Sequence, residues 1–475
     1  MQGIDRRARR SVRAREVAWV GTGWFCLVLA ATLPPAVGVS PAIAQHGLAA
    51  APDASDTILA WGDNNDGELG DGTTTDSSTP VGVRLSAGTT VTAIAAGHDH
   101  SLAVTSAGTA LAWGDNRFGQ LGDETTTDSV TPVEVSLPAG ITVTAIAAGD
   151  DHSFAVTSAG TVLAWGDNDR GELGDGTTTR SSTPVPVSLP AGTTVTAIAG
   201  GIAHGLALTS AGTVLAWGLN SDGQLGDGTT TDSSTPVEVS LPAGTTVTAI
   251  AAGSLHSLAV TSAGTVLAWG DNGRGQLGDG TTTDSVTPVG VSLPAGTTVT
   301  AIGGGRDHSL AVTSAGTVLA WGDNGRGQLG DGTTTDSSTP VGVSLSAGTT
   351  VTAIAAGSLH SLAVTSGGTA RGWGSNSDGR LGDGTTTDSS TPVGVSLPAG
   401  TTVTTIAAGA AHSMALVAPP PDSTAPPPDS TAPPPDLPTT GASLPITLAA
   451  AILLVLTGVT LIRLARQHQP TRRLR

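Results

Sequence analysis

A chain of 475 residues with 66 Gly, 29 Pro, no Tyr and no Lys, of which only 12% are charged, is poor material for a helical bundle. The 38% hydrophobic content argues against wholesale disorder, and a formal charge of −18 argues against a nucleic-acid binder, which needs a basic face. The single Cys26 allows neither an intrachain disulfide nor a thiolate metal cage.

The N-terminal segment is laid out as a secretory signal. Arg6, Arg7, Arg9, Arg10, Arg13 and Arg15 precede an apolar run over 17–33, and Ala42-Ile43-Ala44 supplies the small residues a signal peptidase needs. Residues 1–44 are therefore expected to be removed after Ala44, taking Cys26 with them. A retained N-terminal membrane anchor is the competing reading. A short linker, 45–57, follows.

From residue 58 to 417 one motif recurs. Trp61, Trp113, Trp165, Trp217, Trp269, Trp321 and Trp373 are spaced by 52 residues, as are His100, His152, His204, His256, His308, His360 and His412. One unit reads as Thr131 to Leu137, a Pro-Ala-Gly turn, Val143 to Ala147, then His152 to Val156, a Ser-Ala-Gly turn, and Thr161 to Gly166. Four short β-branched or apolar runs between turn residues predict four strands, the blade of a propeller. The body opens on a Trp strand lacking its His strand and closes on a His strand lacking its Trp strand. Pairing these orphans makes a closed ring of seven blades, whereas an open solenoid would gain nothing from the offset and would want polar caps. The expected fold is all-β, a seven-bladed β-propeller closed by its terminal strands.

Ala-Ala-Gly-x-x-His-Ser-Leu-Ala-Val-Thr-x-x-Gly-x-x-x-x-Trp-Gly-x-Asn-x-x-Gly-Gln-Leu-Gly, intact over 251–278, resembles the repeat of the regulator of chromosome condensation family. The resemblance covers roughly 58–417 and implies a seven-bladed propeller. The family's founding eukaryotic member is a guanine-nucleotide exchange factor that uses a projecting wedge. Here every unit is 52 residues long, so no wedge is inserted, and the fold is carried over without the exchange activity.

No Ser/His/Asp order, phosphate-cradling loop or Cys/His cluster stands out, so no catalytic residue is expected and the chain is read as a non-enzyme. Sevenfold copies of His and Trp suit repeated structural contacts better than one asymmetric constellation, although exposed tryptophans would suit a lectin. Asp63, Asn65 and Asp66 offer calcium-type oxygens, but Gly67 falls one position early for a calcium loop; no cofactor is expected, with calcium as the one candidate. Strand alternation puts the Asp-rich loops and the pair preceding each His on one face and the short neutral turns on the other. The unit-to-unit differences fall largely on the first face, making Asn65, Asp66, His98, Asp99, Arg117, Phe118, Asp150, Asp151, Asp169, Arg170, Arg306 and Asp307 the candidate binding residues.

A proline-rich stalk, 418–436, repeats Pro-Pro-Pro-Asp-Ser-Thr-Ala and favours extended polyproline II; a ligand for a proline-recognition domain is its alternative reading. Leu437-Pro438-Thr439-Thr440-Gly441, an apolar run over 444–462 and a basic tail over 463–475 together resemble the cell-wall sorting signal of Gram-positive surface proteins. That resemblance implies a sortase cutting between Thr440 and Gly441 and transfer to a peptidoglycan amine. A retained transmembrane helix with a cytoplasmic tail is the alternative, and either arrangement puts the body outside the cell. Residues 1–44 carry +4 and residues 441–475 carry +5, so the mature chain carries −27 rather than −18. The expected function is a wall-displayed adhesin or protein-binding scaffold, a monomer with an extracellular protein or glycan ligand; an inhibitor of an extracellular enzyme and a lectin are the alternatives.

Overall fold

The computed structural model describes residues 58–418, and these contain twenty-eight β-strands and no helix. Strand β1 (Ile58–Gly62) and β2 (Ser77–Gly82) come first; β3 (Val91–Ala96), β4 (His100–Thr105), β5 (Ala110–Gly114) and β6 (Ser129–Glu134) then form one antiparallel sheet in chain order. We call this sheet blade 1. The pattern repeats through blade 6, and the chain ends with β27 (Val403–Ala408) and β28 (His412–Val417).

Blade 7 has the order β2-β1-β28-β27, so both termini build it. Ile58 pairs with Leu416, Ala60 with Met414 and Gly62 with His412, in unbroken antiparallel register. Ring closure thus uses backbone hydrogen bonds inside a blade, whose short edges are the inner β27 and the outer β2 as in any other blade.

The apolar core lies in the seams between blades. Leu102, Val104, Ala112 and Leu121 of blade 1 pack with Val143, Ile146, Ala155 and Trp165 of blade 2. All seven tryptophans of the repeat are fully buried, so one large ring fills each seam between Ala- and Gly-rich sheets. Gly382, at φ 68°, lets the backbone approach Trp61 so closely that a Cβ there would stand 2.7 Å from the indole Nε1.

The outermost strands differ from the sequence expectation of a run from Thr131 to Leu137. The observed strand is Ser129–Glu134, with a register shift between Ala112 and Gly114. Beyond it the chain leaves the sheet in a tight turn, in which the Leu137 N–H donates to the Val135 carbonyl at 2.7 Å. Val135 nonetheless stays buried, which preserves the apolar alternation that reads as strand.

No helix among the described residues is long and apolar enough to span a membrane. The signal segment with Ala42 and Ala44, the stalk, the Leu437 to Gly441 motif and the 444–462 run lie outside the described residues.

Candidate functional site

The seven histidines form the inner belt of the ring, and each is fully buried. His100 Nε2 lies 2.9 Å from Ser153 Oγ of the next blade, and the same contact recurs as His204 with Ser257, His256 with Ser309, His308 with Ser361, His360 with Ser413 and His412 with Ser101. Each serine hydroxyl spends its one proton on a backbone carbonyl of the preceding blade's loop, as Ser153 does on Gln120 O at 2.8 Å. The serine oxygen therefore accepts, so His Nε2 donates, and the tautomer is fixed with a bare Nδ1. Burial holds the His100 and His256 pKa values down to about 4 and those of His152, His204, His308 and His412 down to about 3.

The tryptophans latch onto the same carbonyls. Trp113 Nε1 donates to Glu68 O at 2.7 Å, Trp165 to Gln120 O at 2.8 Å, and Trp61 to Arg380 O at 2.9 Å across the seam between blades 6 and 7. The His-Ser-carbonyl-Trp belt runs around the ring with one gap: Gly205 stands where the other blades have serine, and His152 Nε2 is left without a partner. These residues hold the ring together and present no reactive group to solvent.

The loop face lies at the opposite end of the strands from the Ser-Ala-Gly and Pro-Ala-Gly turns. Asp115 N donates to Asp99 O at 2.8 Å, tying each Asp-rich loop to the pair that precedes the histidine. His98, Asp150, Ile202, Ser254, Arg306, Ser358 and Ala410 ring the mouth of a central cavity of about 220 Å³ whose wall is otherwise Ala and Gly. The fold thus turns a sevenfold structural position into one asymmetric rim.

Charge on this rim is uneven. His98 Nδ1 is 2.8 Å from Asp99 Oδ1, and its Nε2 is 3.8 Å from Asp150. Burial works to lower the His98 pKa, but Asp150, Asp99 and Asp151 outweigh it and raise the value to about 10, so this histidine is a cation at neutral pH. Arg306, three blades from both His98 and Asp150, pairs with its neighbour Asp307 at 3.0 Å. Arg117 grips Asp115 with two hydrogen bonds, at 2.8 and 2.7 Å. Asp169 is 2.6 Å from Arg180, and Arg170 is 3.6 Å from Asp232 of the next blade.

Asp63, Glu68 and Asp99 bring their carboxylates within 4.8 Å of one another, the one such group of three among the described residues. Asp63 belongs also to the calcium set considered from sequence, but Asn65 turns to hydrogen-bond Asp63 itself, and Asp66 donates its N–H to Glu68. Burial and then the neighbouring Asp63 push the Glu68 pKa to about 9, while burial and then Asp76 and Asp378 push Asp63 to about 7. Glu68 escapes notice in a search for motifs. Its signal is a comparison among units, since the equivalent residues are Gln120, Glu172, Gln224, Gln276, Gln328 and Arg380.

Phe118, the one obvious aromatic among the candidate loops, is covered by Arg180 of the next blade, whose guanidinium lies 4.5 Å from the ring centre. Asn65 is exposed, and Asp66 is half-buried at the seam between blades 7 and 1.

Residues 39–309 match the family described as RCC1-like domain, and residues 315–364 and 368–416 match the regulator of chromosome condensation (RCC1) repeat. The Ultraviolet-B receptor UVR8 of Arabidopsis thaliana is 33% identical over 363 residues, covering 76% of this chain and 82% of that protein. The E3 ubiquitin-protein ligase HERC2 of Homo sapiens is also 33% identical over 76% of this chain, but the match spans only 8% of that much longer protein. Among solved structures, Prp20p from Saccharomyces cerevisiae, described together with its binding to Gsp1p and histones, aligns with a TM-score of 0.67 at 26% identity, over 77% of this chain and 92% of its own. Human WBSCR16 shares the fold with a TM-score of 0.69 at 24% identity, over 76% of this chain and all of its own.

Proposed function

The chain belongs to the regulator of chromosome condensation (RCC1) repeat family, and from that premise we propose that it is a non-enzymatic protein-interaction module that binds its partner with the loop face. The observation that carries this reading is the division of labour within the repeat. The residues that recur, His, Ser and Trp, are spent inside the ring, whereas the residues that vary, from His98 to Asp307, gather on one charged rim. The solved relative described with binding to Gsp1p and histones supports a protein partner in preference to a small substrate.

The ends of the sequence support display outside the cell. A signal ending at Ala44, a proline-rich spacer and the Leu437 to Gly441 motif fit a wall-anchored adhesin or scaffold, with sortase and peptidoglycan as processing partners. An enzyme inhibitor is the second reading, because a rigid ring with one variable rim suits a protein target. Burial of all seven repeat tryptophans argues against a lectin that stacks sugars on them.

The mature chain, 45–440, serves as bait against secreted enzymes, host proteins and wall glycans, with a hydrolase panel run in parallel. Reversing charge at Asp150, Asp151 and Asp169 is expected to release a captured protein, while matched changes in the Ser-Ala-Gly turns are not. Equal release from both faces would overturn the reading. Mass analysis of wall-released protein tests the anchor, with a C-terminus at Thr440 expected.

A further inference from the structure

Three seams of the loop face are clasped by an arginine that reaches an aspartate of the next blade, 62 positions on in sequence. Arg170 is 3.6 Å from Asp232, Arg274 is 3.2 Å from Asp336 and Arg326 is 3.2 Å from Asp388. The seam between blades 1 and 2 departs at both positions. Phe118 stands where every other unit has Asp or Arg, and Arg180 stands where every other unit has Asp. The two departures meet, with the Arg180 guanidinium 4.5 Å from the centre of the Phe118 ring. Phe118 is also the only phenylalanine or tryptophan among the described residues that is not buried.

Arg180 is held on three sides. Phe118 lies under one face of the guanidinium, Nε donates to Asp167 at 2.7 Å, and Nη2 donates to Asp169 at 2.6 Å. The side chain is nonetheless 44% exposed. With one face on Phe118 and the edge on two carboxylates, the opposite face is what the plane offers to solvent.

This geometry selects among ligand groups. A carboxylate binds a guanidinium at its edge, where Asp167 and Asp169 already sit and would repel it. A cation is repelled by Arg180 itself, and an aliphatic group gains nothing from the charge. An aromatic ring is attracted to the face of the planar cation and displaces no carboxylate. The plane is already immobilised, so little conformational freedom is lost when a ring settles on it.

We propose that the exposed face of Arg180 seats an aromatic side chain of a protein partner, in a sandwich of ring, guanidinium and ring with Phe118 as its floor. This rests on the reading of the loop face as the binding surface, and adds the point of entry and the chemistry of the group that enters.

The test uses the purified full-length chain with isotope-labelled arginine, the Arg180 Nε–H being read by NMR and assigned by its loss in Arg180→Lys. N-acetyltryptophanamide is titrated, with N-acetylleucinamide and sodium acetate as the aliphatic and carboxylate probes. A saturable ring-current shift of Arg180 is expected with tryptophanamide alone, while Arg170, Arg274 and Arg326 in the same spectrum stay in place. Phe118→Arg combined with Arg180→Asp rebuilds the clasp of those three seams. The double variant is therefore expected to melt near wild type while binding tryptophanamide at least about fivefold more weakly, read by saturation transfer to the ligand. Unchanged binding in the double variant, equal shifts at the four arginines, or no shift with any probe would each overturn the proposal. A shift of Arg180 with acetate and none with tryptophanamide would also overturn it, and would assign the seat to a carboxylate. If reversing Asp150 and Asp151 releases the protein captured by the bait while tryptophanamide leaves Arg180 unmoved, the seat is wrong and the loop-face reading stands.

Discussion

Phe154 stands edge-on to Trp217, with ring centres 5.6 Å apart and planes at 90°. Every other blade has leucine or methionine at the position of Phe154, and every other blade has serine at the position of Gly205. The two departures belong together. A Cβ on Gly205 would lie 2.6 Å from the Trp217 ring, so the larger Phe154 and the smaller Gly205 accommodate the same indole. Gly205→Ser alone is expected to destabilise by roughly 1–3 kcal/mol through overpacking, and Phe154→Leu alone by about 1 kcal/mol through lost volume. The double variant should recover most of both losses and give His152 its missing hydroxyl. Urea unfolding of all four proteins measures the coupling, and simple additivity would refute it.

The ring itself was legible in the chain because its determinants are periodic. Trp61 and His412 mark two half-blades, and a phase argument is enough to join them without knowing any contact. The hydrogen-bond belt was not legible for the opposite reason: Ser101 is an ordinary strand serine until the closed ring brings it to His412, 311 residues away. Likewise Phe118 reads as a free loop aromatic until the next blade supplies Arg180. Pairings across seams depend on the rotation between blades, which no local pattern encodes.

Glu68 is a carboxylate where four other units place glutamine. Its pKa is raised from 4.5 to about 9 by burial and by Asp63, so the folded state binds the proton more tightly than the unfolded chain does. That contribution is fully present below about pH 4.5 and is lost as pH rises through 9. Glu68→Gln removes the liability and offers an amide donor, as Gln328 Nε2 offers one to Asp323 at 2.7 Å. The variant is expected to melt higher than wild type at pH 8, with the difference shrinking toward pH 5. A difference independent of pH would show that charge is not the cause.

The belt histidines have the opposite sign. Their pKa values fall from 6.5 to about 3 or 4 on folding, so the unfolded chain takes up protons first as the medium becomes acidic. Their stabilisation is complete above about pH 6.5 and is lost as pH falls toward 4 and below. The raised carboxylates Glu68, Asp63, Glu172, Asp271, Asp66, Asp128 and Asp323 and the raised His98 act against this trend, so removing Glu68 lets the histidine slope show more clearly. Thermal melts between pH 7 and 4.5 should show stability falling with acid, and more steeply in Glu68→Gln. A flat profile would count against neutral buried imidazoles.

Glu124 is the only non-glycine residue with positive φ among the described residues, at 72°. The equivalent residues in the other six units are glycines, and its N–H still makes the shared inter-blade bond, to Ser182 O at 3.0 Å. The loop geometry is imposed by the seam, and the side chain bears the strain. Glu124→Gly is expected to stabilise by about 1 kcal/mol, read as a shift in urea midpoint with unchanged slope. Glu124→Ala, which keeps a Cβ, should give much less.

Trp217 offers a test of the belt that does not require emptying a core. Its Nε1 donates to Glu172 O at 2.8 Å, and because of Gly205 no serine shares that carbonyl. Trp269 makes the same bond to Gln224 O at 2.9 Å, but Ser257 donates there too, at 2.8 Å. Tryptophan to phenylalanine keeps a ring in either seam while removing the donor. The Glu172 carbonyl is then buried without a partner, whereas the Gln224 carbonyl keeps one, so Trp217→Phe should cost about 1–2 kcal/mol more than Trp269→Phe. The contrast should narrow when Gly205→Ser and Phe154→Leu are introduced with Trp217→Phe, since the restored hydroxyl takes over the orphaned carbonyl. Equal costs for the two single variants would mean that ring volume, and not the shared carbonyl, is what the tryptophans contribute at the seams.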